Sequence, residues 1–126
     1  IGKGYLLLTG FTEGDDEETV EKTAKKISEL RIFEDENGKM NLSIFDAGGS
    51  VLSISQFTLY ADLSRGRRPS FVKALNYEKA TVLYDRFNEA LRARNLHVET
   101  GIFGADMKVS LINDGPVTII IDSKEI

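Results

Sequence analysis

Small polar residues that could act on a substrate stand in two short segments of the chain. The first is Ser55-Gln56-Phe57-Thr58-Leu59, and the second is Asn113-Asp114-Gly115-Pro116-Val117-Thr118. In one interpretation, Ser55, Gln56 and Thr58 line a pocket in which the backbone N–H groups of Gln56 and Phe57 hold a developing oxyanion. The first segment is therefore a candidate for stabilising an oxyanion during catalysis.

Both segments also have a plainer interpretation. Val51 to Tyr60 alternates as a strand with two largely apolar faces, so we expect both faces to be covered. Its polar side chains would then need partners, because an unmet buried polar group costs roughly 1–3 kcal/mol, and neighbouring backbone could supply them. The second segment is also typical of an ordinary turn, since Asn, Asp, Gly and Pro all favour turns.

Other catalytic sets are not indicated by the sequence. His97 is the single histidine, and we interpret it as structural because nothing marks it as the base of a serine triad. The chain has no cysteine, and no group of His, Asp and Glu has metal-ligand spacing, so we expect neither a metal nor a cofactor. A basic cluster follows the first segment and is either solvated loop charge or a phosphate contact: Arg65, Arg67, Arg68 and Lys73.

Composition limits the class of protein. The 126 residues fit one domain, and 41% apolar content with mixed charges excludes a disordered chain. A net charge of -4 argues against bulk electrostatic binding to nucleic acid, and we expect no DNA partner. No apolar run approaches the ~20 residues that span a bilayer, and no signal peptide opens the chain. We therefore expect a cytoplasmic protein without membrane contact.

Two helices and several strands must position the candidate residues. The first helix begins with Asp15 as a cap and the second with Asn76; both carry an apolar stripe, and the second ends near Asn95 in a left-handed residue. The predicted strands are Tyr5 to Phe11, Arg31 to Phe33, Met40 to Phe45, Val51 to Tyr60, His97 to Phe103, Met107 to Ile112 and Val117 to Ile121. This order predicts an α/β (α+β-like) single domain, layered β/β/α, in which two helices cover sheet.

The chain closely resembles the D-aminoacyl-tRNA deacylases, also called D-tyrosyl-tRNA deacylases. The family signatures SQxTL and NxGPxT stand here as Ser55 to Leu59 and Asn113 to Thr118. Further likeness lies in Leu30-Arg31-Ile32-Phe33, Asn37-Gly38-Lys39-Met40-Asn41, Gly66-Arg67-Arg68-Pro69-Ser70-Phe71 and Thr100-Gly101-x-Phe103-Gly104-Ala105-x-Met107. The resemblance covers the whole chain.

The resemblance implies a homodimer with its site at the subunit interface. The reaction would be hydrolysis of the ester between a D-amino acid, or glycine, and the 3′-terminal adenosine of tRNA. Gly115 and Pro116, joined by a cis peptide, would enter the partner's pocket and exclude L side chains.

The resemblance also implies the remaining roles. The backbone at Gln56 and Phe57 would hold the oxyanion, and the ribose 2′-hydroxyl would activate water, with Thr118 as an alternative nucleophile. The 3′-terminal adenosine would be flanked by Phe103 and Met107, and Arg67 and Arg68 would contact tRNA phosphate or brace the interface.

Two expectations complete this interpretation. The family begins with a strand pair that precedes the position of Ile1, and we expect this pair to be missing from the chain. We expect the single domain to extend over residues 1–126. An alternative function is a non-catalytic dimeric module that binds adenosine or the tRNA 3′ end.

Overall fold

The computed structural model describes residues 1–126. A three-stranded parallel sheet has the order β1-β4-β5, where β1 is Gly4–Thr9, β4 is Ser50–Ser55 and β5 is Val98–Thr100. A separate antiparallel pair joins β2, Phe33–Glu34, to β3, Met40–Leu42. The helices are α1, Glu17–Glu29, and α2, Tyr77–Ala93. The predicted single domain with two helices is confirmed.

The hydrophobic core lies between the two helices and the parallel sheet. The predicted helical stripes are buried, and they meet Val51 of β4 and Val98 of β5 in one cluster. A hydrogen bond of 2.7 Å from the buried Tyr84 hydroxyl to the Ser53 carbonyl fastens α2 to the sheet. No helix is both long and apolar enough to cross a membrane.

The helix ends follow local chemistry, with one correction. Asn76 caps α2 as predicted, accepting from the Lys79 N–H at 3.0 Å, and Asn95 has the predicted left-handed backbone, with φ 64°. The predicted cap of α1 is wrong by one residue: Asp16 accepts from the Thr19 N–H. Asp15 instead accepts from the Thr12 N–H, because it closes the preceding turn.

The predicted strand Val51 to Tyr60 is wrong in its second half. Ladder pairing between β1 and β4 ends at Thr9 and Ser55, and Phe57–Tyr60 forms a 3₁₀ turn. The expectation that both faces of this segment are covered is also wrong, because Phe57 and Leu59 are 56% and 55% exposed. Other strands are shorter than predicted or shifted at their ends, and His97 to Phe103 is reduced to β5.

The predicted strands Met107 to Ile112 and Val117 to Ile121 are absent. Residues 106–121, which we call the C-terminal arm, form no backbone–backbone hydrogen bond. A strand needs a neighbour that bonds to its N–H and C=O groups, and no strand of this chain pairs with the arm. The apolar sequence of the arm thus lacks the partner that would make it a strand.

Candidate functional site

The candidate residues gather where the parallel strands end. Thr9 of β1 is level with Ser55 of β4, and Thr100 of β5 is level with Ser53, so the three strands end at the same edge of the sheet. In open parallel sheets, ligands bind outside the carboxyl ends of the strands. The first signature segment leaves the sheet at this edge.

Gln56 and Phe57 form the turn out of β4. The Gln56 N–H donates to the Thr9 carbonyl at 2.8 Å, so it is already engaged in the sheet. Phe57 is the first residue of the 3₁₀ turn, where N–H groups have no partner within the turn. Of the two oxyanion donors predicted from the sequence, Phe57 is therefore the one whose N–H the turn does not use.

The side chains of this segment bond to each other. Gln56 Nε2 donates to Thr58 Oγ1 at 2.5 Å, and no side chain among Ser55, Gln56 and Thr58 bonds to neighbouring backbone. The plainer interpretation of these polar residues is therefore wrong. Ser55 and Gln56 are partly buried and Thr58 is exposed, which leaves polar groups at the surface of this edge.

Close packing holds the turn against the end of β1. A Cβ atom on Gly10 would lie 3.1 Å from the Gln56 carbonyl oxygen and 3.2 Å from Tyr60 Cδ2, so the backbones approach closely here. Burial raises the pKa of Tyr60, and the charges of Asp15 and Asp122 raise it further. Tyr60, the last residue of the 3₁₀ turn, is therefore a neutral phenol packed against the end of β1.

The basic loop borders the same segment. Phe71, which follows the loop, packs its ring against Phe57 with centroids 5.0 Å apart at 71°. A backbone bridge between Asp62 and Ser70 closes the loop, and hydrogen bonds from Ser64 and the charge of Lys73 lower the pKa of Asp62. Arg67 and Arg68 are exposed on this loop.

Phe103 and Met107 lie beyond the end of β5. The Gly101 N–H donates to the Ser53 carbonyl at 3.3 Å, which keeps this segment alongside β4. A Cβ on Gly101 would lie 2.3 Å from Met107 Sδ, so the thioether packs directly on the glycine. Phe103 is partly buried between Tyr77 and Tyr84, two residues that the sequence analysis did not single out. Their spacing of seven residues on one helix places both rings on the same helix face, and this was the only feature of the sequence that could have indicated a shared contact.

The second signature segment, residues 113–118, which we call the tip, forms a compact turn in the middle of the C-terminal arm. Asn113 Oδ1 accepts from the Val117 N–H at 2.9 Å, and Asn113 Nδ2 donates to Thr118 Oγ1 at 3.0 Å. The Gly115-Pro116 peptide is cis, and Gly115 has φ 142°. A Cβ on Gly115 would lie 2.8 Å from Val117 Cγ2 and 3.0 Å from the Val117 nitrogen. Only glycine fits at this position of the tip.

The tip is exposed, and within one chain no hydrogen bond joins its residues 113–118 to residues 55–59 of the first signature segment. The structure thus brings the first segment, Phe103 and Met107 to the carboxyl edge of the sheet. Arg67 and Arg68 lie in the exposed loop that Asp62 and Ser70 close, and no hydrogen bond ties Gly115, Pro116 or Thr118 to the first segment.

His97 lies at the opposite edge. Its carbonyl accepts from Val51 at the start of β4, and its exposed ring faces Glu99, with 3.0 Å between Nε2 and Oε1. These contacts place His97 away from the candidate site.

No group of three His, Asp or Glu side chains is arranged to hold a metal ion.

The family model described as D-Tyr-tRNA(Tyr) deacylase matches residues 1–122. A D-aminoacyl-tRNA deacylase of Bacillus pumilus is 60% identical, over 99% of this chain and 85% of that protein. A D-aminoacyl-tRNA deacylase of Thermus aquaticus is 58% identical, over 99% of this chain and 82% of that protein.

Two solved structures are also similar. One, titled c-Myc DNA Unwinding Element Binding Protein, has a TM-score of 0.86 and 41% identity over 94% of this chain and 81% of that chain. Another, titled as a probable eukaryotic D-amino acid tRNA deacylase, has a TM-score of 0.71 over 82% of this chain and 76% of that chain. At 17% identity, the second likeness shows the fold alone.

Proposed function

The chain belongs to the D-Tyr-tRNA(Tyr) deacylase family, and from this membership we infer that it hydrolyses the ester between a D-amino acid and the 3′-terminal adenosine of tRNA. The observation that carries the proposal is the family match over residues 1–122, which includes both signature segments. The products are free D-amino acid and tRNA. A tRNA substrate also favours the cytoplasm as the compartment.

The proposed mechanism uses backbone and substrate groups. Water attacks the ester carbonyl, the ribose 2′-hydroxyl activates that water, and the ribose 3′-oxygen leaves with a proton. The Phe57 N–H donates to the oxyanion as it forms. Loss of one such donor typically lowers kcat by 10²–10³. Gln56, bonded to Thr58, keeps the turn that presents Phe57 in place.

Thr118 is the weaker candidate for a nucleophile. Its hydroxyl oxygen accepts from Asn113, and no histidine or carboxylate bonds to it as a base. A threonine hydroxyl needs such a base to become nucleophilic. The substrate-assisted route does not need one.

The tip at Gly115-Pro116 is the proposed chiral filter. A main-chain wall excludes a side chain on the L side of the substrate and leaves room on the D side, and glycine passes because it has no side chain. The fixed shape of the tip supports this role, since Asn113 bonds across it twice.

In this proposal the tip comes from a second copy of the chain, since no hydrogen bond ties it to the segment around Phe57 in its own chain. The C-terminal arm supports a homodimer: its backbone groups bond to no other backbone group, and Ile112 and Ile120 are each 92% exposed. Exposed apolar surface beside an unpaired segment of β-type sequence is typical of an interface. The dimer would complete two equivalent sites.

The tRNA end would bind at the carboxyl edge of the sheet. Phe103 and Met107 offer an aromatic and a thioether surface to the terminal adenosine, and Arg67 and Arg68 supply positive charge for a phosphate. A net charge of -4 favours such a local contact over general attraction to duplex DNA.

The test is deacylation of D-tyrosyl-tRNA, L-tyrosyl-tRNA and glycyl-tRNA. We expect release from the D and glycyl esters and none from the L ester; equal rates for D and L would contradict the chiral filter. Binding of adenosine analogues without any cleavage would instead favour a non-catalytic module.

The oxyanion donor is tested separately at Phe57. Phe57→Pro removes an N–H that has no partner within the 3₁₀ turn, and Phe57→Ala keeps the N–H while removing the ring. We expect kcat to be 10²–10³ lower in Phe57→Pro than in Phe57→Ala. Equal kcat values in the two variants would exclude this donor.

A further inference from the structure

An exposed tyrosine packs against the proposed adenosine contact. Tyr77 is 63% exposed, and its ring centroid lies 5.3 Å from that of Phe103 at an interplanar angle of 75°. Tyr84 contacts the same ring, with a centroid distance of 5.6 Å and an angle of 53°. Phe103 is thus held between two rings of α2.

These rings are fixed to the scaffold by different means. Tyr77 and Tyr84 are seven residues apart, so two helical turns place them on one face of α2. Tyr84 is immobilised because it is buried and its hydroxyl bonds to the Ser53 carbonyl. Tyr77 is the first residue of α2, directly after the Asn76 cap, so its backbone is set by the start of the helix.

The chain after Phe103 is fitted around Tyr77. Gly104 has φ 80°, and a Cβ there would lie 2.7 Å from Tyr77 Cε2. The tyrosine ring therefore occupies the space that a side chain at residue 104 would need. Because the Tyr77 ring lies so close to Gly104, it limits the backbone path of residues 103–104. It thereby also limits the orientation of the Phe103 ring.

We propose that Tyr77 is a positioning residue for the 3′-terminal adenosine, acting through Phe103. This rests on the proposed function, in which the base stacks on Phe103. Base–aromatic stacking depends on the orientation of the ring, so a Phe103 ring free to rotate would bind the base less well. Tyr77 restrains the rotation of the Phe103 ring on its solvent-facing side, where no buried residue of the core contacts it.

The test is steady-state deacylation of D-tyrosyl-tRNA by Tyr77→Ala, with thermal unfolding measured in parallel. Tyr77→Ala should raise KM about three- to tenfold with kcat unchanged, the range expected from the loss of one aromatic pair in uniform binding. Tyr77→Phe keeps the ring and should retain the KM of the unsubstituted protein. Val82→Ala, which truncates a 56% exposed side chain on the same helix, is the matched control.

Phe103→Ala separates failure of this inference from failure of the proposed site. A higher KM in Phe103→Ala with an unchanged KM in Tyr77→Ala would overturn the role of Tyr77 alone, even if Tyr77→Ala lowers Tm. A Tyr77→Phe variant as impaired as Tyr77→Ala would also overturn it, since the hydroxyl rather than the ring would be responsible. An unchanged KM in Phe103→Ala would overturn the adenosine contact and this inference together.

Discussion

At the scale of single residues, Tyr5 shows how a polar group at the start of β1 is accommodated. Its ring packs on Phe33, with centroids 5.2 Å apart, while its hydroxyl oxygen is buried without a hydrogen-bond partner. Burial raises the pKa of Tyr5 from 10.0 to about 12. The unpaired hydroxyl therefore opposes folding, and ionisation of the phenol would oppose it further.

Tyr5→Phe should stabilise the protein. Removal of an unsatisfied buried hydroxyl is expected to raise the free energy of unfolding by about 1 kcal/mol at neutral pH, measured by urea denaturation. Tyr5 ionises more readily in the unfolded chain than in the folded one, so the unsubstituted protein should lose stability between pH 10 and 12. The advantage of Tyr5→Phe should therefore widen over that range. Tyr77→Phe, at an exposed ring, is the control, and a destabilised Tyr5→Phe would show that the hydroxyl has a partner.

At the scale of secondary-structure elements, the start of α2 connects stability to the site. The Asn76 cap fixes the first turn, and Tyr77 in that turn contacts Phe103. Side chains that cap a helix satisfy N–H groups that have no partner within it. The same hydrogen bond thus supports both the helix and the aromatic contact.

Asn76→Ala should lower the free energy of unfolding by about 1 kcal/mol, because the Lys79 N–H loses its acceptor. Asn76→Asp keeps an acceptor oxygen and should stay close to the unsubstituted protein. Urea denaturation followed by circular dichroism measures both variants. If Asn76→Ala and Asn76→Asp were equally stable, the cap would contribute nothing.

The sequence predicted elements where periodicity and caps are local. The stripes of both helices, the Asn76 cap and the left-handed Asn95 follow from neighbouring residues alone. The sequence did not predict that the strand ending at Ser55 gives way to a 3₁₀ turn, since residue types that favour strands continue through Phe57, Thr58 and Tyr60. Nor could it predict that Met107 to Ile112 stays unpaired, because pairing depends on another strand.

The candidate site was predictable in part for the same reason. The signature segments were found from their residues, but the engagement of the Gln56 N–H by Thr9 depends on contact between β1 and β4. Tyr77 was missed because its contact with Phe103 joins residues that are distant in sequence. Sequence supplied the chemical groups, and tertiary contacts decided which of them are free.

At the scale of the whole molecule, the separation of the two signature segments is the feature that requires explanation. Phe57 lies at the carboxyl edge of the sheet, and Gly115 lies on an exposed tip that no hydrogen bond ties to it. In a dimer related by a two-fold axis, the tip of each chain can serve the sheet edge of the other. Each proposed site then needs Phe57 from one chain and Gly115 from its partner.

Two inactive variants should therefore restore activity when they are combined. Phe57→Pro removes the oxyanion donor. Gly115→Ala places a Cβ 2.8 Å from Val117 Cγ2, and we expect the distorted tip to block the space that the wall leaves for a D side chain. In a heterodimer, one site carries both defects and the other carries neither. With random pairing, half of the dimers are heterodimers, so co-expression should recover about a quarter of the unsubstituted activity on D-tyrosyl-tRNA.

Ile120→Asp in both chains should abolish the recovery, because it charges a residue of the arm that is 92% exposed in one chain. Activity equal to the mean of the two separate variants would place the whole site within one chain.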